Sequence, residues 1–160
     1  MTMSYFRPPR VDTISTNVLV SVAAIIHDRG KVLMILEGEE PYNNQWVIPM
    51  GYVHARERIL EAVAREVMEE VGVDIQIERL VGVYDDFLKI QNSMAHHVII
   101  CYSATPVANS PAITREAKEF AWTDRKNVPR LPAPNVVKEM LTDYYRNQRG
   151  GWRLGKKLLH

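Results

Sequence analysis

Three glutamates, Glu66, Glu69 and Glu70, stand at i, i+3 and i+4 in a stretch whose apolar residues recur with a helical period. At ~100° per residue they span an arc of roughly 100° on one side of a helix. Leu60, Ala64, Val67 and Val71 form an apolar stripe roughly opposite. The helix is therefore expected to bury that stripe and present three carboxylates on its other side. Such crowding costs roughly 0.2–0.5 kcal/mol per i,i+4 pair of like charges. Close carboxylates also raise one another's pKa unless something positive sits between them. A divalent cation relieves both problems, and an all-oxygen donor set suits a hard ion such as Mg²⁺, with Mn²⁺ as a substitute. Zinc has no matching ligand set. Cys101 is the single cysteine, and His96 and His97 are neighbours that would face opposite ways on a strand. The competing reading is a solvated glutamate face.

The rest of the chain must supply the scaffold. Its 160 residues have the size of one domain. With 46% hydrophobic and 24% charged residues, collagen-like, low-complexity and wholly disordered classes are excluded. A net charge of +1 gives no push toward nucleic acid or membrane. One cysteine allows no intrachain disulfide. Residues 1–10 lack the apolar core of a signal peptide, so a cytoplasmic protein is expected. Strands are expected at 17–27, 31–37, 46–48, 74–84, 96–107 and 118–122, with loops at 38–45, 85–95 and 109–117. Helices are expected over 57–71 and from an N-cap at Asn135 to Tyr145. The second helix should bury Val136, Val137, Met140, Leu141, Tyr144 and Tyr145. Residues 1–16 read as an N-terminal arm, 17–148 as the domain and 149–160 as a basic tail. That tail could contact RNA, an acidic lipid surface or a partner subunit. The order of elements argues an α/β fold with helices packed on a sheet.

From Gly51 to Val73 the chain reads Gly51, five residues, Glu57, seven residues, Arg65-Glu66-Val67, one residue, Glu69-Glu70, one residue, Gly72-Val73. This resembles the Nudix box, G-x5-E-x7-R-E-U-x-E-E-x-G-U with U aliphatic, at every prescribed position. The match covers 23 of 160 residues. Trp46-Val47-Ile48-Pro49 looks like the strand and proline that enter the box in that family. The resemblance implies a Nudix-type α/β/α sandwich around a mixed sheet. It also implies Mg²⁺-dependent hydrolysis of a diphosphate bond in a nucleoside diphosphate derivative.

Roles implied by the resemblance attach to matching positions. Glu66, Glu69, Glu70 and the Gly51 carbonyl would be metal ligands, and Glu66 would also accept a proton from the attacking water. Arg65 should pair with Glu57 and steady the loop and the carboxylates. Gly51 and Gly72 would serve backbone geometry. Met50 and Arg56 stand where many members have glycine, so Arg56 is expected to take a turn conformation that glycine takes more easily. Arg56, with His54 and Arg58, could add positive charge near the phosphates; a solvated basic loop is the competing reading. Some relatives use a further carboxylate outside the box. Asp85, Asp86, Glu116 and Glu119 are the candidates, with Glu119 preferred as a residue on the substrate side. Tyr84, Trp46, Trp122 and Cys101 are assigned to the core. The substrate is expected to be a small nucleotide: a nucleoside-diphosphate sugar such as ADP-ribose, then a nucleoside triphosphate, then a dinucleoside polyphosphate or capped RNA. A homodimer through the arm and a Nudix-fold nucleotide sensor without catalysis are the remaining alternatives.

Overall fold

The computed structural model describes residues 18–90, 93–108, 111–112 and 117–147. The expected arm, the basic tail and Glu116 lie outside the described residues. The elements are β1 (Val18–Asp28), β2 (Lys31–Glu37), β3 (Trp46–Val47), β4 (Met50–Tyr52), α1 (Ile59–Val71), β5 (Asp74–Ile90), β6 (Ser93–Ala108), β7 (Ala117–Asp124) and α2 (Asn135–Asn147). A single 3-10 turn, Val128–Arg130, precedes α2.

β1 carries six consecutive buried residues, Ser21 to Ile26, as a strand covered on both faces requires. It turns through Arg29 (φ 47°) and Gly30 (φ 79°), so both central residues of the loop take the positive φ that a twisted hairpin prefers. β1 pairs with β2 only at this end, His27 to Val32 and Asp28 to Lys31. Further back it runs parallel to β6, from Val18–His96 to Ile26–Ala104. Antiparallel pairing joins β5 to β6 and β7 to β2. One mixed sheet results, in the order β3-β2-β1-β6-β5, with β4 added to β1 and β7 to β2. Helix α1 packs on β4, β1 and β5, and α2 packs on β5. Ile25, Leu33, Ile35, Ile48 and Ile99 are among the largest fully buried side chains. This is the expected α/β architecture. Among the described residues no helix is long and apolar enough to cross a membrane.

Three expectations need correction. Residues 85–95 were expected as a loop, yet β5 continues to Ile90 and β6 begins at Ser93. Polar type does not bar a strand at a sheet edge, where side chains reach water while the backbone ladder continues. Cross-strand contacts favour it here: His96 Nε2 lies 3.1 Å from Asp85 Oδ2, and the Phe87 ring stacks on His96 at 4.8 Å. The first helix starts at Ile59 rather than 57, where Glu61 accepts the Arg58 N–H at 3.2 Å. Its buried side is Ala62, Val63, Glu66, Val67, Glu70 and Val71, whereas Leu60 is 51% exposed and Ala64 is exposed. Two glutamates thus lie on the covered side, not opposite it. The second helix matches its expected face, with Tyr144 buried and Tyr145 partly so.

Candidate active site

Strand β4 brings Gly51 opposite Val22 and Tyr52 opposite Ser21 of β1, directly beside α1. Between them the chain makes a tight turn, in which Glu57 N–H donates to the His54 carbonyl at 3.2 Å and His54 N–H donates to Glu57 Oε2 at 2.9 Å. Arg56 has φ 67°, the left-handed conformation expected at a position where relatives carry glycine. At the far end of α1, Gly72 has φ 66°, and its N–H donates to the Met68 carbonyl at 3.0 Å. Glycine there ends the helix without a Cβ penalty.

Arg65 is the brace. Nε and Nη2 donate to the two Glu57 carboxylate oxygens at 2.6 and 2.9 Å. Nη1 donates to Glu66 Oε1 at 2.7 Å and to Glu69 Oε2 at 3.0 Å. Nη2 also donates to the Tyr52 carbonyl at 2.9 Å. Every donor of the guanidinium fork is used. The positive charge that must separate the crowded carboxylates is therefore supplied by the neighbouring residue itself. Hydrogen bonding from Arg65, helped by the His54 N–H, holds the Glu57 carboxyl at about 2, below its ordinary 4.5. The Glu57 bond in turn raises the Arg65 guanidinium further above its ordinary range.

The sign of the pH effect follows. Folded Glu57 stays ionised down to about pH 2, while the unfolded chain takes up that proton near 4.5. The stabilisation from this pair is complete above about pH 4.5 and is lost as pH falls toward 2. In a carbon-detected NMR titration the Glu57 carboxyl should show a midpoint near 2. In Arg65→Met the midpoint should rise toward the ordinary carboxylate range, with the His54 N–H still holding it below that range. An ordinary midpoint in the parent protein would refute the brace.

Glu70 Oε2 accepts the Met50 N–H at 3.0 Å, and Glu70 is buried. Glu66 is likewise buried against β4, and a Cβ on Gly51 would collide with the Glu66 carboxylate. Gly51 has no positive φ. Its glycine is needed for space, not for the conformational freedom expected from the sequence. Glu69 is more exposed, with its side chain 56% accessible.

Gly51, Arg65, Glu66, Glu69 and Glu70 all line one cavity of about 320 Å³. Its lining also carries Glu37, the last residue of β2, and Glu39 and Glu40 from the segment that follows. Sequence reasoning missed that segment, although three acids within four residues were a visible signal. Glu37 is itself occupied by the Gly38 and Glu39 N–H groups at 2.8 and 3.3 Å. Ser21 and His97 also line the cavity and were not singled out as site residues. Arg56 and Glu119 are exposed and stand outside the lining, as do Asp85 and Asp86. The core assignments hold: Tyr84 is buried and its hydroxyl donates to Asp143 at 3.2 Å, Trp46 and Trp122 pack on the core, and burial pushes the Cys101 thiol up.

The donor set is oxygen throughout, which fits a hard divalent cation. Among the described residues no three His, Cys, Asp or Glu side chains already stand ready to hold a metal ion. One nitrogen, Arg65 Nη1, bridges Glu66 and Glu69. A cation would share those carboxylates with the guanidinium.

The NUDIX domain model matches residues 17–144, and the chain belongs to the Nudix hydrolase family. A protein named ADP-ribose pyrophosphatase from Methanocaldococcus jannaschii is 28% identical over 82% of this chain and 75% of its own length. The Danio rerio 8-oxo-dGDP phosphatase NUDT18 is 32% identical over 78% of this chain, which spans only 38% of that longer protein. Among solved structures, the MutT protein from Methanosarcina mazei Go1 superposes with a TM-score of 0.75 at 20% identity, covering 86% of this chain and 100% of that one. The NUDIX domain of Shewanella oneidensis NrtR, complexed with ADP ribose, gives 0.68 at 18% identity over 92% of this chain and 99% of its own. Both structural likenesses speak for the fold. Nudix hydrolases generally need divalent metal ions.

Proposed function

We propose that this enzyme hydrolyses the diphosphate bond of a nucleoside diphosphate joined to a second group, with Mg²⁺ as its cofactor and ADP-ribose as the leading substrate. The observation that carries the reading is the convergence of Glu66, Glu69, Glu70 and the Gly51 backbone on one cavity, braced by Arg65. The name of the archaeal relative supports the choice of ADP-ribose. The 8-oxo-dGDP phosphatase relative supports a nucleoside diphosphate as the second candidate.

Glu66, Glu69, Glu70 and the Gly51 carbonyl would hold the cation. Bound there, it would neutralise phosphate oxygens and lower the pKa of a water. The chain does the rest. Glu66 would accept a proton from the attacking water, as a general base does. Arg65 fixes the Glu66 carboxylate through Nη1 and ties it to the Tyr52 backbone through Nη2. Glu57 holds Arg65 in a two-point grip, so the second layer turns with the first. Burial of Glu66 and Glu70 limits competing water and strengthens every charge interaction in the cleft.

A panel of ADP-ribose, other nucleoside-diphosphate sugars, nucleoside di- and triphosphates and dinucleoside polyphosphates, assayed with Mg²⁺ or Mn²⁺, tests the reading. Turnover is followed by phosphate release after phosphatase coupling. ADP-ribose should yield AMP and ribose 5-phosphate. Absence of turnover on the whole panel would overturn the proposal.

A further inference from the structure

Part of the sheet on the side of α1 is uncovered. Gly51 stands opposite Val22, and a Cβ on Gly51 would meet the Glu66 carboxylate, so α1 lies on the Val22 side. Paired residues share a face, and every second residue along a strand returns to it. Val18 and Val20 therefore share that side with Val22. Register sets His96 beside Val18, Val98 beside Val20 and Ile100 beside Val22. On the next strand it sets Phe87 beside His96, Asp85 beside Val98, Val83 beside Ile100 and Lys89 beside Met94. Val22 is buried, yet Val18 is 45%, Val83 60%, Met94 58% and Phe87 64% exposed. Three strands about 4.8 Å apart carry these rows, which follow one another at about 6.8 Å, so the face measures roughly 10 by 20 Å. A strand face turned to water ordinarily carries polar residues. Single exposed apolar side chains are common; a contiguous set of them marks a contact surface.

Two charges stand within this face. Asp85 and Lys89 lie on β5 on either side of Phe87, the first with its side chain 63% accessible and the second exposed. A twofold axis between two such faces, crossing the strands at Phe87, lays Phe87 over its counterpart and Asp85 of each copy over Lys89 of the other. The face is complementary to itself, as an isologous contact requires. We propose that this face of β1, β6 and β5 joins two copies of the chain, packed face to face about that axis. The Phe87 ring already lies on the His96 ring at 4.8 Å, and His96 Nε2 is 3.1 Å from Asp85 Oδ2, so the central aromatic is held in place before contact. Pairing through the free edge of β5 fits less well. The Phe87 N–H donates to Asp86 Oδ1 at 2.8 Å, and the Tyr42 hydroxyl donates to Asp86 Oδ2 at 3.4 Å, so that edge is partly closed. With one acid and one base, the face also offers no net charge to draw a polyanion or an acidic peptide. Its area is well below the ~800 Å² that each partner of a standard interface buries. Association is therefore reversible, with a dissociation constant on the order of micromolar. The inference is independent of the nucleotide reading above.

Sedimentation velocity of the full chain tests this from about 1 to about 500 µM, a range that brackets a micromolar contact. The mass should rise from one chain to two. Phe87→Glu and Met94→Lys change exposed side chains, so the melting temperature of the dilute protein should hold. Each should raise the dissociation constant at least about thirtyfold, as loss of a central contact does. Asp85→Lys and Lys89→Asp each set like charges opposite one another and should weaken association roughly tenfold. Combined, they restore opposite charges across the axis and should return the constant to within about threefold of the parent value. A single-chain mass over the whole range overturns the inference, whether residues 1–17 or solvent cover the face. A doubled mass that Phe87→Glu and Met94→Lys both leave unchanged overturns it in favour of another surface. Charge variants that each weaken association, with no recovery when combined, overturn the twofold arrangement at Phe87.

Discussion

Glu66→Gln lowers turnover of the best substrate by at least ~10²-fold at saturating Mg²⁺, the low end of what a general base supplies. The amide keeps the side chain's length and shape, so the buried seat against Gly51 is preserved. Lost are one negative charge and the ability to take a proton. Arg65 Nη1 loses its charged partner at 2.7 Å and keeps Glu69 at 3.0 Å, while its Glu57 grip is untouched. The scaffold should therefore survive. Three glutamates, Glu57, Glu66 and Glu69, crowd around one guanidinium, and Glu70 lines the same cavity as Glu66 and Glu69. Removing one relieves like-charge repulsion, so the melting temperature should hold or rise, as is common where function maintains local strain. Glu70→Gln should fall in the same range. Its carboxylate belongs to the same cavity, and it accepts the Met50 N–H, which an amide oxygen can also do. Paired measurements of kcat and thermal melting decide the matter. Near-parental kcat in both variants would remove these carboxylates from the reaction.

The box was legible because its chemistry is local. Glu57 and Arg65 lie eight residues apart, and Glu66 through Gly72 follow one helix to its cap, so spacing alone brings them together. The face of that helix was not legible. Hydrophobicity favours Leu60 and Ala64 as buried, but β4 and β1 cover the side that carries Glu66 and Glu70, and burial there depends on Arg65, the Met50 N–H and the bare Gly51. Periodicity locates a helix; it does not say which strand lies over it. The acids of the lining outside the box were less legible still. Glu39 and Glu40 reach the cleft because the 38–45 connection folds back, with Glu37 N–H bonded to the Gln45 carbonyl at 2.9 Å. Lys118 of β7 holds Asn43 and Asn44 at 2.9 and 2.7 Å, contacts more than seventy residues apart in sequence. Ser21 and His97, 76 residues apart, meet only because β1 and β6 are parallel neighbours, a pairing set by the whole sheet. The 85–95 segment was misread for a related reason: its polar side chains look like a loop until β6 supplies partners for them.

Gly51→Ala separates function from stability more sharply than any carboxylate change. A methyl group there would occupy the place of the Glu66 carboxylate. That carboxylate is the far end of a flexible side chain, so it can swing aside without moving the backbone. Gly51 has no positive φ and lies in β4, where alanine is tolerated. Replacing glycine at a compatible position also narrows the unfolded ensemble, worth about 0.4–1 kcal/mol. The fold should thus be as stable as before, or slightly more so. Activity should not survive: displacing a reacting group by even ~1 Å can cost 10²-fold, and here the displaced group is both the proposed base and a proposed metal ligand. A loss of at least ~10²-fold in kcat/KM with an unchanged or raised melting temperature is the expected result. The cause can be isolated by a double-mutant cycle. In a Glu66→Ala background no carboxylate remains to be displaced, so adding Gly51→Ala should cost little more. If Gly51→Ala were fully active, or if its cost were undiminished in the Glu66→Ala background, the contact between that glycine and that carboxylate would not be what the cleft is built around.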